Sequence, residues 1–183
     1  MSRLTDLRAA AIARIKAANL GFKSVDKHVG RYTVDDLKRL LSVSPACVVG
    51  IANVTRPTRR ASGELAFDVA FAAVVVTKQQ RRDDADDDAL DLAVQVAALI
   101  NDWVPAQEVP RALPATDIRA DGAGDDEIDR AQMAVWAATW IHTVTVGTDQ
   151  VGAESDVDHR LGAAASITVD HAARDDETAG GAP

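Results

Sequence analysis

A chain of 183 residues is long enough to bury one ordinary core without disulfide staples or a structural metal. Its formal net charge of -8 excludes a protein whose main affinity is for nucleic-acid backbones, because that affinity comes from clustered Lys and Arg. Apolar residues make up 47% of the chain but aromatics only 4%, which predicts a core of thin, alanine-rich layers in which each tryptophan is informative.

Over residues 4–19, Leu4, Leu7, Ala11, Ile15 and Ala18 recur at helical spacing while Arg3, Arg8, Arg14 and Lys16 fall largely elsewhere on the wheel. That pattern predicts an amphipathic helix, with Gly21 as its stop. Residues 22–32 read as an irregular, lysine-bearing connection with a turn signal at Gly30. Thr33 is placed to cap a short helix through Leu41, with Asp35 and Asp36 in the first turn where the helix dipole favours acids. Pro45 closes this helical region.

Residues 46–54 form a β-rich run, Cys47, Val48, Val49 and Ile51 among them, so the lone cysteine reads as a buried strand residue and no intramolecular disulfide can form. A basic, turn-like arm at 55–63 follows, then a clean alternation over 64–77 that sets Leu65, Phe67, Val69, Phe71, Ala73 and Val75 on one side. The two strands should pair as an antiparallel hairpin, joined by an arm that reads as too long for a tight turn. Residues 87–102 carry Leu90, Ala93, Val94, Ala97, Leu99 and Ile100 at helical spacing behind an acidic start, and predict a well-buried helix. Pro105, Pro110 and Pro114 exclude regular structure across 103–114, and 115–120 suits a short edge strand. The acids of 83–91 and 121–129 read as solvated loops. Residues 131–147 put Trp136, Ala138, Trp140, His142, Val144 and Val146 on one face and predict a final long strand. Together these elements predict an α+β domain over 1–147 with helices on a largely antiparallel sheet. Residues 148–183 form an acidic Ala/Gly-rich C-terminal extension, expected to be partly mobile in the free protein, in which only 166–169 looks strand-like.

Chemistry is harder to find. The glycines do not fall at the spacing of a phosphate loop, the serines lack a nucleophile-elbow setting, and the aspartate runs lack the glycine and final glutamate of a calcium loop. His28, His142, His159 and His171 are scattered, and with one cysteine they cannot build a structural zinc site. His159 and His171 sit among Asp156, Asp158 and Asp170, a weak divalent-ion option against which solvated tail is the stronger reading. No catalytic, cofactor-binding or metal-binding residue is therefore expected, and the chain reads as a non-enzyme. Residues 1–18 lack the apolar stretch of a signal peptide, and no segment has the roughly 18 uncharged apolar residues of a membrane span. The expected site of synthesis is the cytoplasm.

What stands out is the basic arm, Arg56, Arg59 and Arg60 in an otherwise acidic chain. It reads either as a solvated loop or as an arm that docks on an acidic surface, with Asp83, Asp84, Asp86 and Asp87 as a candidate counterpart. Trp140 and His142 complete the candidate protein-interface residues, His142 as a packed or an interface histidine.

The segments LTDLRAAAIARIKA, SPACVVGIANV, LAFDVAFAAVVVT, DDALDLAVQVAALINDW and AVWAATWIHTVTVG, in this order over about residues 1–147, resemble the Mu-like bacteriophage tail terminator family of contractile-tailed phages. The resemblance implies a virion protein made in the bacterial host cytoplasm. It implies a hexameric ring that caps the head-proximal end of the tail tube and stops polymerisation of tube and sheath. Its partners would be copies of itself, tube and sheath proteins, and the neck or head-completion proteins that join there. The acidic extension departs from the family pattern. Three other readings share the sequence: another neck or tail-completion protein, a monomeric protein-binding module that uses the extension, and a small enzyme with a dispersed site.

Overall fold

A computed structural model describes residues 3–30, 33–55, 57–78, 82–123, 128 and 131–147. Among them the chain runs α1 (Arg3–Ala17), β1 (Ser24–Lys27), α2 (Val34–Leu40), β2 (Ala46–Val54), β3 (Thr58–Arg59), β4 (Leu65–Lys78), α3 (Arg82–Asn101), β5 (Thr116–Gly122) and β6 (Met133–Val146), with short 3-10 turns at Leu41–Val43 and Pro105–Gln107. The strands form one sheet in the order β1-β2-β4-β6-β5, with β3 beside β4. Only β1 and β2 are parallel; the remaining pairs are antiparallel, so the domain is α+β, as the sequence predicts.

The centre of the sheet is the β4–β6 pair, in register without interruption from Leu65 opposite Val146 to Lys78 opposite Met133. The alternation read from the sequence is the alternation of the faces. Val69, Phe71, Ala73 and Val75 point with Ala138, Trp140 and Val144 into the larger core, which α1 closes with Leu7, Ala11 and Ile15 and α3 with Ala89, Ala93, Val96 and Ile100. The intervening residues Val74, Val76, Met133 and Val135 point to the opposite face, where α2 brings Leu37 and forms a smaller core with Val48 and Ile128. The second half of β4 is thus buried on both sides, which is why its sequence there is an unbroken apolar run.

Local chemistry sets the helix ends. The Thr33 hydroxyl accepts from the Asp36 backbone N–H at 3.2 Å while the Asp36 carboxylate accepts from the Thr33 N–H at 3.2 Å, a complete capping box at the start of α2. The Thr33 hydroxyl also donates to the Asp36 carboxylate at 2.6 Å, and this bond first, with the one from the Thr33 N–H, holds the Asp36 carboxyl below its ordinary range. The end of β4 is tied to the first turns of α3 by Thr77, whose buried hydroxyl donates to the Ala85 carbonyl at 2.8 Å. Cys47 is fully buried in β2, and desolvation pushes its thiol up to about 12.

Four features differ from the sequence reading. Residues 24–27, expected to be irregular, form the edge strand β1; four residues alternating against two lysines are too short a signal to recognise. The arm is no open loop: Thr55 donates to the Asp68 carbonyl at 3.0 Å, β3 pairs with Leu65 and Ala66, and the chain reverses through a tight turn in which Gly63, at φ +83°, donates to the Arg60 carbonyl. The helix α3 starts at Arg82, so the acids at 83–88 lie in its first turns and not in a loop, where they oppose the positive end of the helix dipole. Its buried stripe is Ala85, Ala89, Ala93, Val96 and Ile100, whereas Val94 is 48% exposed. Finally, the core holds an aromatic cluster beside its alanine layers, with Phe71 and Trp140 stacked at 5.6 Å and His142 edge-on to Phe71 and Trp103.

Candidate assembly surfaces

The β2–β4 hairpin outruns the helices that cover the rest of the sheet. Every described residue from Ala52 to Ala61 is exposed, Arg59 and Arg60 included, while Arg56 lies outside the described residues. The hairpin's root is fastened. Glu64 receives the Arg111 guanidinium, which also donates to the Gly147 carbonyl at 3.2 Å, so the 108–115 segment grips the start of β4 and the end of β6 together. The arm therefore stands on a fixed base with a basic tip.

The acidic counterpart lies at the other end. Asp83 and Asp84 are on the first turn of α3, with side chains outside the described residues; Asp86 and Asp87 follow and are exposed, as are Asp88 and Asp91. The Asp86 carboxylate accepts from the Trp136 indole N–H at 2.8 Å, which fixes the start of α3 over β6. Trp136 and Val146 are ten residues apart on one strand, and Val146 faces Leu65, which faces Arg59. At strand rise this separates the acidic helix start from the basic tip by about 33 Å. The two patches predicted to complement each other cannot meet within one subunit.

Trp140 and His142 do not belong to this surface. They are 1% and 0% exposed, on the core face of β6 beneath α3 and the proline-rich segment, and the packed reading of His142 is the one observed. Its Nδ1 sits 2.8 Å from the Leu113 carbonyl, which fixes the tautomer with the proton on Nδ1. Desolvation lowers the pKa of the ring against the opposing effect of that hydrogen bond. Burial was invisible from the strand pattern because a face that meets a core and a face that meets a partner are equally apolar.

The sheet also keeps an open stretch. On the face carrying α2, Asp68 and Ala70 of β4 lie beside Thr143 and Ile141 of β6 with no buried side chain among them, and the Asp68 carboxylate accepts from the Thr143 hydroxyl at 2.6 Å. Among the described residues there is no group of three or more side chains that could hold a metal ion, and no helix is long and apolar enough to cross a membrane. His159 and His171, with their neighbouring aspartates, lie outside the described residues. No protein-family model matches the chain, and no curated protein matches it either.

Proposed function

We propose that this protein is a structural subunit that closes into a ring of six copies by head-to-tail contact and acts as a tail terminator, seated on the head-proximal end of a phage tail tube. The observation that carries the assembly reading is the roughly 33 Å separation, on one rigid sheet, between a basic hairpin tip and an acidic helix start. Two complementary patches that cannot meet in one subunit can meet between copies, and a heterologous contact whose rotation closes generates a ring. The tip reaches its partner because the hairpin continues past the helices, and charge complementarity sets register more than it supplies affinity. The open stretch of β4 and β6 adds flat surface beside the arm for the same contact or for the tube and neck proteins. The more specific role, stopping the growth of tube and sheath, rests on the resemblance of the five quoted segments and on an α+β fold that agrees with it.

The contact can be tested by exchanging charges. Arg59→Glu with Arg60→Glu should leave a folded monomer, as should Asp87→Arg with Asp91→Arg, and mixing the two variants should restore a mixed assembly. Two variants that each assemble like the unaltered chain would remove the arm and the α3 start from the interface.

A further inference from the structure

The sheet ends at β1, a short strand carrying Lys27, two features that restrain edge pairing without covering the edge. Among the described residues β1 pairs only with β2, so its outward N–H and C=O groups are free to template another strand. Beside it lies a cleft of about 360 Å³ between the C-terminal half of α1 and β1, floored by Ile15, Leu20, Phe22 and Val25. Its rim carries two exposed lysines, Lys16 and Lys23, and the carboxylate of Asp26, which lies 3.9 Å from the Lys16 ammonium. An edge strand flanked by a helix, with an apolar floor, is the arrangement that takes up an extended peptide by strand addition.

The chain carries a segment that fits. Residues 148–183 hold eight Asp or Glu against two Arg, a net -6 of the whole chain's -8. Within them Ser166, Ile167, Thr168 and Val169 are a four-residue β-favouring run with apolar side chains on one face, the length of β1. Asp170, Asp175, Asp176 and Glu177 follow it. We propose that residues 166–169 add as a further strand to the free edge of β1 of the same chain, with Ile167 and Val169 entering the cleft and the acids that follow meeting its lysine rim.

Reach permits it. Gly147 lies nine residues along β6 from Ala138, which is level with Lys27 three strands away, so the path is about 33 Å. The eighteen residues of 148–165 span roughly 25 Å on average as a coil and up to about 60 Å when extended. A tether of this length holds its segment near the edge at about millimolar effective concentration, which favours the chain's own segment over a second copy's. Docked there, the extension shields an edge that would otherwise invite unregulated pairing.

A pair of cysteines in the full-length chain tests this directly. Asp26 and Thr168 would lie on the same, polar side of the added strand, and Cys47 is buried and stays out of thiol exchange. Oxidised Asp26→Cys/Thr168→Cys protein should form an internal disulfide in the monomer; disulfide-linked dimers, or no disulfide, would overturn the proposal. In an otherwise unaltered chain, Ile167→Pro should speed hydrogen exchange of the β1 amides about tenfold while β4 and β6 amides keep their protection. Equal exchange at β1 in the two proteins would overturn it as well. Native mass measured on the same samples reports on the ring separately, so a ring without the internal disulfide sinks this inference alone.

Discussion

The two halves of β4 pair with β6 in one uninterrupted register and have opposite fates. From Val69 to Thr77 the strand is buried almost throughout, with α1 and α3 over one face and α2 over part of the other. From Leu65 to Asp68 it runs out into the hairpin that ends at Arg59 and Arg60. The lesson is that alternation fixes which side chains share a face, whereas the length of the covering helices decides where the core stops. From Val69 on the strand forms the core of the subunit, and before it the half-buried strand carries an arm whose described residues are exposed.

Substitutions should separate the halves cleanly. The largest effect belongs to the buried half: Trp140→Ala removes the ring stacked on Phe71 and should cost about 3–5 kcal/mol in denaturant unfolding, enough to threaten the fold. A loss under about 1 kcal/mol would mean that the aromatic cluster is not the packing centre described. Thr33→Ala breaks the capping box of the helix that covers the second face and should cost about 1 kcal/mol. His142 gives the comparison a pH axis. Its folded-state pKa lies below the ordinary 6.5, so the unfolded chain takes up the proton first. Its contribution is fully present above pH 6.5 and is lost as pH falls below that value towards the folded pKa. Unfolding free energies measured across this window should decline on the acid side, and His142→Gln should flatten that part of the decline. The smallest effect on stability belongs to the exposed half, where Arg59→Ala and Arg60→Ala should stay within about 0.5 kcal/mol.

Much of the scaffold was legible. The run at 46–54 coincides with β2, and β4 and β6 lie within two residues of the spans read from alternation, because long strands repeat their signal many times. The shorter pieces were not. β1 offers one buried residue, Val25, and β3 is a two-residue pairing created by the turn at Arg60 and Gly63. The early start of α3 did leave a trace, since Ala85, Ala89 and Ala93 recur every four residues through the acidic run, but the aspartates' preference for loops outweighed it. Of the candidate interface residues, the exposed charges were separable by composition alone. Trp140 and His142 were not, because only the position of α3 and of the segment around Leu113 decides that their face is internal.

The most direct test of the assembly account is native mass by light scattering on the full-length chain across concentration. Six copies of a 19.3 kDa chain give a discrete closed species of about 116 kDa, and Arg59→Glu with Arg60→Glu should return it to the monomer without unfolding it. A strict monomer at every concentration, or a ring indifferent to the charge reversal, would contradict the claim that the exposed half of the hairpin joins one subunit to the next.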